Sequence, residues 1–171
     1  RSRPQLWPAV TDIGFDGLVA SAGAYVDVGG VELVHHHLDA GQVRHVSDFF
    51  DRHGFDYFFE GAFGLFGTDG VQDRLRELLR GAVSDSGALA ELERGFFAYI
   101  GRIEVAEQPL TVPVSKVVFV QDPGVTFEEI REAFAADFHV IASSVPLSGA
   151  SLGEMQMPGV HKASGMDRVM E

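Results

Sequence analysis

Gly17-Leu18-Val19-Ala20-Ser21-Ala22-Gly23, followed by Ala24-Tyr25-Val26-Asp27-Val28-Gly29-Gly30, decides how the chain is read, because its patterning changes character at Gly23. Before that glycine, Gly17–Ser21 is an unbroken run of small and branched apolar residues. Such a run suits a strand buried on both faces, as in a parallel sheet. After it, Ala24–Val28 and Val31–His36 alternate around Gly29-Gly30, a two-residue hairpin signal. An α/β-type strand therefore gives way to antiparallel pairing at Gly23.

Upstream, Ser2 to Ile13 reads as a helix, with Ser2 as cap and Gly14 as its stop, although Pro8 argues for a late start or a kink. Downstream, Asp39–His53 is the best-marked helix. Asp39 and Gln42 form a capping box, Leu38 and Val43 form a staple, and Gly54 ends it. Phe55–Glu60 and Phe63–Gly67 read as short strands around Gly61. Asp69–Val83 and Ser86–Ile100 carry apolar stripes at helical spacing, and Ile103–Val114 reads as connection. Lys116–Val120 is a strand, Thr126–Ala136 a helix opened by the Thr126–Glu129 capping box, and Phe138–Ser143 and Ser151–Met157 are strands. The class is α+β, a mostly antiparallel sheet covered by helices, with pieces of an α/β sheet at the flanks.

The last fourteen residues start with Pro158-Gly159-Val160-His161-Lys162 and run into a short helix over Ala163–Glu171. A lysine in a first helical turn runs against the helix dipole, which favours anions there. It is easier to rationalise if a phosphate or carboxylate sits beside it, whereas solvation is the bland alternative.

Composition narrows the partners. The 171 residues suit one domain with small appendages, and a hydrophobic share of 46% supports a packed core. The formal charge of -12, from 25 acidic and 13 basic residues, argues against a nucleic-acid backbone or an anionic membrane as partner. Cysteine is absent, which excludes disulfides, thiolate metal sites and a cysteine nucleophile. Neither a membrane-length apolar run nor a signal peptide is visible, so a soluble, cytoplasmic protein is expected.

His35 and His37 share a strand face and make the start of a zinc or copper site, but the local pattern offers no third ligand. Core filling accounts for most of the phenylalanines from Phe49 to Phe66, with an apolar substrate pocket or a dimer face as the alternative for the rest. Glu91 with Glu93, and Glu128 with Glu129, lie on helix surfaces where solvation accounts for them. Residue by residue, no complete catalytic constellation appears.

Four stretches, in order, resemble the Cof-type branch of the haloacid dehalogenase superfamily. Arg1-Ser2 with Ile13-Gly14-Phe15-Asp16-Gly17 resembles the segment after the family's threonine-glycine-arginine signature. Leu18–Val26 resembles the core strand and its exit into the cap, and Ser115–Phe119 a recurrent mid-cap strand. Leu152-Gly153-Glu154-Met155, then Gly159-Val160-His161-Lys162-Ala163, resembles the return to the core with the third-motif lysine.

The resemblance implies a Rossmann-like α/β core with an inserted cap. Residues 1–22 would be a core remnant, 23–157 the cap, and 158–171 the return to the core. It implies a magnesium-dependent phosphatase acting on a small phosphorylated metabolite through an aspartyl phosphate. Lys162 is its one assignable catalytic residue, and Arg1, Ala22 and Gly23 are candidate substrate contacts. The nucleophile and the magnesium ligands are expected before Arg1 and after Glu171, so the chain alone is expected to be inactive, with the cap as its contribution. Ala22 departs from the family's asparagine, removing both hydrogen-bonding roles of that amide. A non-catalytic binding module made of the cap alone is the alternative reading.

Overall fold

The structure, a computed structural model, describes residues 6–106, 110–121, 123–142 and 151–170. Two sheets organise it. β1 (Gly17–Ala20), β2 (Tyr25–Val28) and β3 (Val31–His35) form an antiparallel three-stranded sheet. The second sheet contains β4 (Asp56–Glu60), β5 (Leu65–Gly67), β6 (Ile103–Val105), β7 (Lys116–Gln121), β8 (His139–Ala142) and β9 (Ser151–Gln156). Its order is β6-β5-β4-β7-β9-β8, antiparallel except for the β5–β6 pair.

The larger sheet is covered on both faces. One face packs Phe50 and Val46 of α2 (Ala40–His53) and Phe134 and Ile130 of α6 (Phe127–Phe134) onto Phe59, Val117, Phe119 and Met155. The opposite face packs Leu75 and Leu79 of α3 (Val71–Gly81) and Ile100 onto Phe58, Leu65, Val118 and Leu152. Every residue from Lys116 to Val120 is consequently buried. That explains why β7 lacks apolar–polar alternation although its neighbours are antiparallel.

The helix starts follow from local chemistry. Asp39 accepts from the N–H groups of Gly41 and Gln42, while Gln42 Oε1 accepts from Asp39 N–H at 3.0 Å. Gly54 ends α2 in the left-handed region, at φ 68. Thr126 and Glu129 make the same reciprocal cap on α6. Backbone hydrogen bonding to Thr126 holds the exposed Glu129 carboxyl below its ordinary pKa.

Several expectations are corrected. Within the described part of the expected Ser2–Ile13 helix, α1 covers only Pro8–Thr11, because Pro8 disfavours helical backbone at Trp7, which is extended at φ -78, ψ 145; Ser2 and Pro4 lie outside the described residues. β1 is not a parallel strand buried on both faces: it pairs antiparallel with β2, and most of it is half-buried. α3 opens at Gly70, left-handed at φ 89, rather than at Asp69.

The helix expected over Ser86–Ile100 is present over that span, but its middle turn is wider than an α-helical one. α4 (Ser86–Leu92) and α5 (Ala98–Ile100) are joined by a wide π-type turn at Glu93–Phe97. The Trp7 ring lies 3.2 Å from where a Cβ on Gly95 would be, so the indole packs closely over the glycine. The segment read as connection contains β6, which extends the sheet through parallel pairing with β5. α7 (Lys162–Met170) closes the chain against the three-stranded sheet.

Candidate functional site

Three of the four expected site residues come together where β1 ends and α7 begins. Ser21–Gly23 forms a tight turn in which three successive residues have positive φ: Ser21 at 49, Ala22 at 58 and Gly23 at 103. For residues bearing a Cβ, this region costs roughly 1–2 kcal/mol each. Gly23 is required by contact as well as conformation. A Cβ there would lie 2.1 Å from the carbonyl oxygen of His161 and 3.2 Å from the nitrogen of Lys162. Gly165, one turn into α7, lies equally close, since its Cβ would sit 3.0 Å from Gly23 Cα and 2.7 Å from Val19 Cγ1. The two glycines let α7 seat its first turn directly on the β1–β2 turn.

α7 starts with its own cap. His161 Nδ1 accepts from Ser164 N–H at 3.1 Å, while Ser164 Oγ accepts from His161 N–H at 3.0 Å and donates to the His161 carbonyl at 2.8 Å. This is a capping box with an imidazole in the role usually taken by a hydroxyl or carboxylate. Lys162 is the first helical residue and is exposed, with no carboxylate partner among the described residues. The amide N–H groups of Lys162 and Ala163 have no acceptor among the described residues. An unpaired ammonium beside free N–H groups at the positive end of a helix is anion-binding chemistry. The Ser21 hydroxyl oxygen is buried and lacks a hydrogen-bond partner among the described residues, a costly state for an oxygen shielded from water.

Arg1 lies outside the described residues. Ala22 is half-buried in the strained turn, and its left-handed backbone bears on the departure from asparagine, since asparagine adopts that region more readily than alanine. His35 and His37 have ring centroids 5.9 Å apart. His35 instead packs edge-on against Tyr25 and Phe63, and its Nδ1 lies 3.5 Å from Glu32. Among the described residues no three His, Asp or Glu side chains converge in a way that could hold a metal. The described residues therefore do not by themselves supply a ligand set for a magnesium ion.

A second polar cluster sits inside the larger sheet, at the end where the chain returns to α7. Lys116 Nζ lies 2.9 Å from Glu154 and 3.3 Å from Glu60, and the Tyr99 hydroxyl donates to Glu60 at 3.4 Å. Burial works against the charge on Lys116, but the two carboxylates outweigh it and hold the ammonium above its ordinary pKa. Sequence reading missed this cluster because its three charged members come from three different strands. The Ser21 strain and the His161 cap were missed too. Gly165 inside a helix was the one local signal, since an interior glycine implies close packing.

The whole chain, residues 1–171, matches the family model of haloacid dehalogenase-like hydrolases. The chain belongs to that family. Among solved structures, a haloacid dehalogenase-like hydrolase from B. subtilis superposes with a TM-score of 0.71 at 13% identity, covering 99% of this chain and 63% of that one. A family member from Bacteroides thetaiotaomicron gives 0.69 at 12% identity, over 99% of this chain and 60% of that one. A subclass IIB sugar phosphatase gives 0.60 at 14% identity, covering 95% of this chain and 55% of that one. At such identities the likeness concerns the fold. This haloacid dehalogenase-like chain spans roughly three-fifths of those structures' length. No curated protein matches it.

Proposed function

We propose that the chain is the cap and adjoining core segments of a magnesium-dependent phosphatase of the Cof-type branch, acting on a small phosphorylated metabolite in the cytoplasm. Residues 1–22 and 158–171 belong to the core and 23–157 to the cap, whose first hairpin is anchored by its pairing with β1.

The observation that carries this reading is Lys162: exposed, without a carboxylate partner among the described residues, and leading a helix that Gly23 and Gly165 hold against a strained turn. The ammonium and the free N–H groups of Lys162 and Ala163 neutralise phosphoryl oxygens as charge builds on them. Their placement by rigid backbone contact, rather than by a mobile loop, keeps that stabilisation preorganised. The cap covers the site, excludes water and selects the leaving group. The attacking aspartate, the acid–base aspartate and the magnesium ligands belong to parts of the enzyme outside the described residues. This chain's residues supply anion recognition and enclosure.

The test is hydrolysis of a generic phosphate ester by the full-length protein, with and without magnesium. Turnover that requires the metal is expected. No turnover of any ester in a broad panel, with magnesium present, would contradict the reading.

A further inference from the structure

We propose that the groove between the segment before β1 and the π-type turn is a binding site for a small aromatic acid, a flat ring bearing a carboxylate or phosphate. Trp7 and Ala9 form one wall, and Arg94, Ala98, Tyr99 and Arg102 the other, around an open pocket of about 240 Å³. Cavities of roughly 150 Å³ hold benzene, so a single substituted ring has room.

The chemistry of the walls names the ligand class. Two arginines line one pocket on a protein whose formal charge is -12, and arginine is the side chain best suited to planar, bidentate recognition of carboxylate or phosphate. Arg94 has no ion-pair partner among the described residues, whereas Arg102 donates to the Leu6 carbonyl at 3.4 Å and so also ties the two walls together. Trp7 and Tyr99 supply aromatic surface, and guanidinium planes stack on rings as well as binding anions. Tyr99 is fixed by an edge-on contact with Phe96 at 5.5 Å and by its bond to Glu60.

The local backbone is shaped for this groove. Arg94 projects from the π-type turn at Glu93–Phe97, an irregularity that recurs at functional sites. The same turn places Gly95 under the indole, where a Cβ would press on the ring at 3.2 Å. This inference does not rest on the phosphatase reading.

The pocket contains its own reporter, because Trp7 is the single tryptophan of the chain. Titrating the 171-residue chain with phenyl phosphate, benzoate and inorganic phosphate at constant ionic strength should move its emission saturably with both aromatic acids. Inorganic phosphate should bind at least about tenfold more weakly, since it cannot stack. Arg94→Glu should weaken the aromatic acids at least about tenfold without shifting the thermal midpoint. If that variant misfolds, Arg94→Gln serves instead, with a smaller loss in the same direction. Lys162→Ala should leave the titration unchanged. A response that never saturates, that is equal in the Arg94 variants, or that disappears in Lys162→Ala would overturn the proposal.

Discussion

At Ala22 the backbone stands at φ 58 and ψ 25 with a Cβ attached, next to Ser21 at φ 49. Two adjacent residues in that region concentrate strain of the kind found at functional positions. Ala22→Asn and Ala22→Gly should each raise stability by about 1 kcal/mol, because both replacements tolerate the left-handed region better than alanine. Chemical denaturation measures this, and a loss of stability in both variants would contradict the geometry. Gly23 behaves oppositely. Its Cβ would meet the His161 carbonyl oxygen at 2.1 Å, and its φ of 103 adds strain. Gly23→Ala should therefore cost roughly 3 kcal/mol or more. The same change at Gly81, where an added Cβ would meet no tertiary neighbour within 4 Å and φ is not positive, should be close to neutral. Equal effects at the two sites would remove the argument that Gly23 seats α7.

Among the elements, β7 shows how pattern and context separate. Its apolar run, Val117-Val118-Phe119-Val120, made it recognisable as a strand. What the run could not reveal was that helices cover both faces of an antiparallel sheet, the condition more often met in parallel sheets. β1 failed in the reverse sense: its similar run lies in a small antiparallel sheet and is largely half-buried. Helix starts were legible wherever the capping chemistry is local, as at Asp39–Gln42 and Thr126–Glu129. The π-type turn within the helix over 86–100 was not, since no side-chain cap marks it locally. Lys116 at the start of β7 yields a stability test. Removing it leaves the buried Glu60 and the half-buried Glu154 facing each other, so Lys116→Ala should cost roughly 3–5 kcal/mol. The pH dependence has a definite sign. Glu60 and Glu154 overcome the opposing effect of burial and raise the folded-state pKa of Lys116. Its contribution is thus complete below the unfolded value of about 10.4 and is lost as pH rises through the higher folded value. Denaturation midpoints measured from neutral to strongly alkaline pH should show this loss in the wild type and a flatter profile in Lys116→Met. Superimposable profiles would contradict it.

Over the whole molecule, the chain passes from the three-stranded sheet into the larger one and returns through Pro158 to α7, which closes against the sheet it left. That excursion is why Gly23 and Lys162, far apart in sequence, meet through backbone contact. The family likeness, and Lys162, Ala22 and Gly23 as separate candidates, were readable from ordered short stretches. The Ser21 strain, the imidazole cap and the Trp7–Arg94 groove were not, because each exists only once distant segments touch. Lys162 is where the account is most exposed. The most direct measurement is kcat for phosphate-ester hydrolysis by the full-length protein and by its Lys162→Ala variant, at saturating magnesium and substrate. A fall in kcat of roughly 10²–10³-fold with the fold intact is predicted, the size expected when one charge-stabilising group is removed. A variant that folds normally and retains wild-type kcat would contradict the assignment of Lys162 as the phosphoryl partner.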